Sequence, residues 1–163
     1  VLAMKILRNL ISHPLFLLLL RVALGLVFII ASLDKIENPS QFAKNIANYR
    51  LLPYEFTHGV AIVLPWLEII TGSLLVLGVW TRANALLTSS MLLVFIFAVS
   101  QALWRQLDIS CGCFSTDPLA HKMTRWTLYW DVIWFLWAVI IIAFQSEVYS
   151  FPRILQRKNM VEK

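Results

Sequence analysis

Four long runs of apolar residues, each with at most one charge inside it, alternate along the chain with short segments that hold nearly all the remaining charge. Leu15 to Leu33 contains Arg21, Phe56 to Trp80 contains Glu68, Ala83 to Trp104 contains none, and Trp126 to Ser146 contains Asp131. A helix crossing the ~30 Å hydrocarbon core of a bilayer needs about 20 apolar residues. Each run therefore predicts a membrane span, at about residues 15–35, 57–80, 83–104 and 124–146. The expected fold class is all-α: a polytopic membrane protein, one four-transmembrane-helix bundle occupying residues 1–163 as a single domain. Lys5 and Arg8 ahead of an apolar stretch with Ala31 and Ser32 also fit a cleaved leader. Arg21 interrupts that stretch and its length suits a full span, so it is read as a helix of the bundle.

The connections are unequal. Thr81, Arg82 and Ala83 make a tight turn between the second and third spans, whereas residues 36–56 and 105–123 form two long outer loops. In the first loop Asn38 is placed to cap a helix with Pro39 at its first position, and Phe42, Ile46 and Tyr49 follow at i, i+4, i+7. This predicts a short amphipathic helix on the membrane surface or across the mouth of the bundle. Leu51, Leu52 and Pro53 lead back to the second span.

Composition agrees with the pattern. Of 163 residues, 60% are hydrophobic and 14% charged, against roughly 45–50% and about 25% in soluble domains. A soluble globular protein is excluded. The net charge of +5 is scattered over several segments rather than gathered on a face, so the expected partner is the lipid bilayer and not nucleic acid. Seven Lys and Arg fall on the side of the termini and six on the other side, which favours cytoplasmic termini under the positive-inside rule. That orientation puts Cys111 and Cys113 in an oxidising outer compartment, where disulfides persist.

Those two cysteines, separated by Gly112, are all the chain has. They cannot build a disulfide scaffold or a four-thiolate metal site, and no metal site is assigned. A disulfide between them closes a small ring. Relaxed geometry keeps the α carbons roughly 4.4 to 6.8 Å apart, and glycine is the residue that bends most cheaply to allow it. A strained bond is easier to reduce. Redox chemistry, capture of a soft metal ion, and a structural clip or two inert thiols are the three readings of the pair. Asp117 and Pro118 read as the start of a helix facing the cysteines, with His121, Lys122 and Arg125 adding cations that favour thiolate and Asp108 opposing them. His121 is a candidate general base or metal ligand.

Ionisable groups inside spans are costly and by default face the bundle interior with a partner. By rise per residue, an Arg21 to Glu68 ion pair is expected. Asp34 and Lys35 end the first span on the outer side and, with Asp131 about 10 Å below the outer surface, are expected to converge on the cysteine loop. There Asp131 is placed to take the protons of two-electron dithiol chemistry. Trp126, Trp130, Trp134 and Trp137 share one face of the fourth span. Trp126 suits an interfacial anchor, and the deeper three suit either aromatic packing between helices or a flat wall, at Trp130 and Trp134, for a quinone ring.

The run Arg21, Gly25, Phe28, Asp34, Lys35, Pro39, Phe42, Tyr49, Leu52, Pro53, then Pro65, Glu68, Gly72 and Gly78, resembles the DoxX-like membrane proteins. With Cys111, Gly112, Cys113, Phe114 and then Trp130, Asp131, it resembles most the MauE branch, over about residues 15 to 145. The resemblance implies a four-helix membrane protein linked to periplasmic disulfide chemistry, with Cys111 and Cys113 as the active pair and Glu68 as a buried family acid. MauE is associated with maturation of the disulfide-rich small subunit of methylamine dehydrogenase, and DoxX relatives with quinone-coupled oxidation of sulfur compounds.

The expected function is a thiol and disulfide carrier in the bacterial inner membrane. It would exchange electrons between an extracytoplasmic thioredoxin-like or disulfide-bearing client and a membrane quinone, with no tightly bound cofactor. Soft-metal binding or transport, and a non-catalytic assembly factor for a periplasmic disulfide-rich protein, are the rival functions. The pattern sets neither the direction of electron flow nor the oligomeric state.

Overall fold

The computed structural model describes residues 13–107, 109 and 124–144. Among them are five helices and no strand: α1 Pro14–Glu37, α2 Pro39–Asn48, α3 Tyr54–Leu77, α4 Thr81–Trp104 and α5 Arg125–Ala143. The fold is all-α. α1, α3, α4 and α5 are long and apolar enough to cross a membrane, and α2 is the short helix expected in the first long connection. The end of the bundle holding Pro14, Gly78 and Ala143 is here the terminal end, and the end holding Glu37, Tyr54, Trp104 and Arg125 is the loop end.

Helix boundaries follow from local chemistry. α1 starts with Pro14 at its first position, where a missing N–H costs nothing. α3 stops at Leu77, three residues short of the expected end. Gly78 adopts a left-handed conformation (φ 73°), and the amides of Gly78 and Val79 close back onto the carbonyls of Leu75 and Leu74. The next helix begins at once, with the Asn84 side-chain amide donating to the carbonyls of Val79 and Trp80 to hold the turn. α5 begins at Arg125, where Thr124 is extended and forms a reciprocal capping box with Thr127. A helix running on from Pro118 therefore does not continue through Thr124 into the span. Asp117 and Pro118 themselves lie outside the described residues.

Packing is closest between α1 and α3. A β carbon on Gly25 would meet the Gly72 carbonyl oxygen at 2.7 Å, and one on Gly72 would meet the Gly25 oxygen at the same distance. Small residues let membrane helices approach until their backbones touch, which replaces the hydrophobic drive that lipid cannot provide. Around this crossing Leu24, Phe28, Leu75, Ala85, Leu92, Ala138 and Ile141 form the main core cluster, with contributions from all four long helices. Several buried hydroxyls donate within their own helices, Ser32 to Ile29, Thr71 to Leu67 and Ser89 to Leu86, whereas the Thr88 hydroxyl has no partner among the described residues. At the loop end α2 lays Phe42 and Ala43 on Ala61 of α3, so it lies across the bundle and does not float on the surface.

The outside is apolar, with Leu19, Val94 and Ile30 among many exposed aliphatic side chains. Trp80 at the terminal end and Trp104 at the loop end are 80% and 84% exposed. They bracket the 24 residues of α4, roughly 36 Å of helix. Amphipathic rings at that separation match the two interfaces of a bilayer. The protein is a multi-pass membrane protein.

Candidate functional site

Three ionisable side chains meet inside the loop-end half of the bundle. Lys35 of α1, Glu68 of α3 and Asp131 of α5 line one chamber of about 40 Å³, closed by Phe28, Ala31, Met91, Leu92, Phe95 and Trp134. All three are buried, at 2%, 5% and 3% exposure. The Lys35 Nζ donates to both oxygens of Glu68, at 2.7 and 2.8 Å, and stands 5.2 Å from the Phe42 ring centre and 5.5 Å from that of Phe95. Aromatic faces on either hand give the ammonium further electrostatic support in a dry setting.

The helix geometry explains why these groups meet. Side chains lean toward the N-terminus of their own helix. α1 and α3 run in opposite directions, so Lys35 leans down into the bundle and Glu68 leans up toward it. Counted from the Gly25 and Gly72 crossing, Lys35 stands about 15 Å up α1 and Glu68 about 6 Å up α3. Two stems inclined toward each other close the difference. By the same count Arg21 lies about 6 Å below the crossing and leans away.

The expected Arg21 to Glu68 pair is therefore not formed. Arg21 is buried instead against the terminal-end cap of α3, where a β carbon on Gly78 would lie 2.7 Å from its guanidinium. A cation at a helix C-terminus meets the negative end of the backbone dipole.

Asp131 completes the chamber differently. Its Oδ2 is buried and has no hydrogen-bond partner among the described residues. The lining thus holds two carboxyl groups against one ammonium, in a space on the scale of a few water molecules at roughly 10–15 Å³ each. Asp34, next to Lys35 in sequence, is half-buried and does not line the chamber.

Tyr49, just after α2, packs at the loop end on Val99 and Ala102 of α4, with Leu107, Ile109 and Leu128 beside it. Burial, and then the charge of Asp131, push its phenol well above the usual tyrosine range. Leu107 and Ile109, at the start of the α4 to α5 connection, and Leu128, in the first turn of α5, thus meet at Tyr49. Cys111, Cys113 and His121, in the α4 to α5 connection, lie outside the described residues.

The α5 aromatics form a ladder along one helix. Trp126 and Trp130 meet edge to face at 6.1 Å, and Trp130 and Trp134 are tilted at 33° with centres 6.2 Å apart. Trp126 is 65% exposed and also stacks on Tyr129, as an interfacial residue would. Trp134 faces the chamber, and Trp137 packs against the main core.

A second, larger cavity of about 520 Å³ lies between α2, α3 and α4, lined by residues that include Phe42, Asn45, Tyr49, Leu64, Met91 and Phe95. Met91 and Phe95 line both spaces. Sequence reasoning missed this cavity, because its walls read as ordinary apolar span and amphipathic helix. The pairing of Lys35 with Glu68 was missed as well, although the lean of the two side chains was available as a signal.

The family model for methylamine utilisation protein MauE matches residues 13–144. The chain belongs to the MauE family. Curated relatives include methylamine utilization protein MauE of Paracoccus denitrificans, 34% identical over 103 residues, covering 63% of this chain and 55% of that protein. The protein of the same name from Methylorubrum extorquens is 31% identical over 106 residues, 64% of this chain and 57% of its own length. This chain spans between 55% and 57% of the curated relatives it matches. No solved structure matches it. The matched region of this MauE family member contains the whole chamber, the larger cavity and the cysteine segment.

Proposed function

We propose that this MauE family protein is a membrane thiol and disulfide carrier, working through Cys111 and Cys113 between an extracytoplasmic client or thioredoxin-like protein and a membrane quinone. A client thiolate attacks one sulfur of the Cys111 to Cys113 disulfide, forming a mixed disulfide and releasing the other cysteine as thiolate. The second client thiol resolves the mixed disulfide, so the client is oxidised and both cysteines are reduced. Reoxidation passes two electrons and two protons to the quinone, which leaves as quinol. His121, Asp131 and Asp34 are the candidates for holding protons in transit.

The observation that carries this reading is the position of the chamber. The segment bearing the cysteines is anchored at Ile109 on one side and Thr124 on the other. Asp131, whose Oδ2 has no hydrogen-bond partner among the described residues, lies less than two turns beyond Thr124. Dithiol oxidation releases protons, and a buried acid beside the redox segment can accept them. In this reading the protein sits in the bacterial inner membrane with its loop end outward. The names of the relatives make methylamine utilisation the process to test first.

Thiol trapping on the protein in native membranes tests the proposal. After reduction, the two cysteines should return to the unreactive disulfide when a soluble quinone analogue is added, and stay alkylatable without it. A pair locked in one state across the potentials of ordinary cellular dithiols would overturn it. Client maturation that persists with both cysteines changed to Ser would favour an assembly factor without turnover.

A further inference from the structure

The 520 Å³ cavity has the dimensions of a small-molecule site, which typically spans about 300–1,000 Å³ with mostly apolar walls and a few placed polar groups. Its walls are aliphatic and aromatic, with the polar groups Asn45, Tyr49 and Ser90. Asn45 and Tyr49 are almost fully buried, at 1% and 7% exposure, and both come from the α2 segment at the loop end. Leu51, Leu52, Val94 and Phe97 line the cavity and are also exposed, so they mark its mouth toward lipid. Asn45, whose Oδ1 accepts from the Gln41 amide at 3.5 Å, and Tyr49 give one wall a polar character that a hydrocarbon chain alone does not match. A molecule with a polar head on an apolar body does.

The cavity also abuts the charged chamber. Met91 and Phe95 are common to both linings, and Met is a side chain that changes shape at little cost. A head group beside Tyr49 and Phe95 would be separated from Lys35, Glu68 and Asp131 by these two side chains. None of the residues lining the cavity comes from α5.

We propose that this cavity, and not the Trp130 and Trp134 face of α5, binds the ring of a membrane-soluble, hydrogen-bond-accepting carrier of the quinone type, with its head toward Asn45 and Tyr49 and its tail leaving past Leu52 and Phe97. The proposal rests on the carrier reading for the identity of the ligand, and on the cavity alone for its location.

The test uses the full chain in phosphatidylcholine nanodiscs, a photoreactive decylubiquinone analogue as probe, and peptide mapping of the label. Label should fall on residues 42–52 and 90–98 and be displaced by decylubiquinone. Ala98→Phe, which fills the cavity from α4, should cut labelling by about tenfold or more. Ser90→Phe tests the same point should the first variant fail to fold. Tyr49→Phe, which removes one hydrogen-bonding group, should weaken it roughly 2- to 10-fold, and Trp130→Leu should leave it unchanged.

Label concentrated on α5, or displaced equally well by excess diacyl phospholipid, would overturn the proposal. Labelling and thiol trapping, both run on the wild-type chain, separate the two readings. Label in the cavity with thiols indifferent to quinone sinks the carrier and leaves the site. Label elsewhere with responsive thiols does the reverse.

Discussion

Lys35 and Glu68 lie 33 residues apart in the chain and join through two hydrogen bonds of 2.7 and 2.8 Å in the interior of the bundle. Removing one partner leaves the other as an uncompensated buried charge, which costs about 3–5 kcal/mol. Lys35→Met and Glu68→Met should each lower stability by that order, and the double variant by clearly less than the sum. Unfolding in mixed micelles with increasing SDS checks this, and additive losses would show that the two side chains act independently.

The Gly25 and Gly72 contact predicts a sharp positional difference. Gly25→Ala and Gly72→Ala each drive a methyl to 2.7 Å from a backbone oxygen, and should cost about 1–3 kcal/mol. Gly59 has nothing within 4 Å of its would-be β carbon, so Gly59→Ala should change stability by less than about 0.5 kcal/mol. The same SDS titration ranks the three.

Tyr49 gives a test by pH. Its phenol is pushed upward in the folded protein, first by burial and then by Asp131. Above about pH 10, where a tyrosine in the unfolded chain loses its proton, the folded state retains one more proton than the unfolded state. Stability should then fall by up to about 1.4 kcal/mol per pH unit from this residue. Tyrosinate absorbance should show a late-titrating phenol in the wild type that is missing in Tyr49→Phe, whose alkaline stability should fall less steeply.

Asp131→Asn keeps the shape of the chamber and removes the acid. The variant should fold with undiminished thermal stability, because one of two carboxyl groups sharing a single ammonium has gone. Reoxidation of the reduced cysteines by decylubiquinone should slow by about 100-fold or more, the usual scale for loss of a positioned proton carrier. Stopped-flow reoxidation at several pH values checks it, and an unchanged rate would remove Asp131 from the proton path.

Much of this architecture was legible in the residues. Runs of span length fixed the four long helices, and Asn38 and Pro39 with the Phe42, Ile46, Tyr49 spacing located α2. Where reading failed, the cause was three-dimensional. Depth counted along each helix separately matches Arg21 with Glu68, whereas the relative height of α1 and α3 is set by Gly25 meeting Gly72. The larger cavity left no trace in the pattern, because lining a void and facing lipid call for the same apolar side chains. Trp134, which the pattern assigns to interhelical packing or a quinone wall, lines the charged chamber.

The Lys35 and Glu68 junction also bears on how the chain is made. Lys35 lies two residues from the end of α1, so while the nascent chain has delivered α1 alone its ammonium can reach up to the headgroups and remain hydrated. Glu68, in the body of α3, has no such refuge. The order of synthesis presents the helix that can wait before the helix that cannot, so the counter-ion for the second insertion is already in the membrane when it is needed.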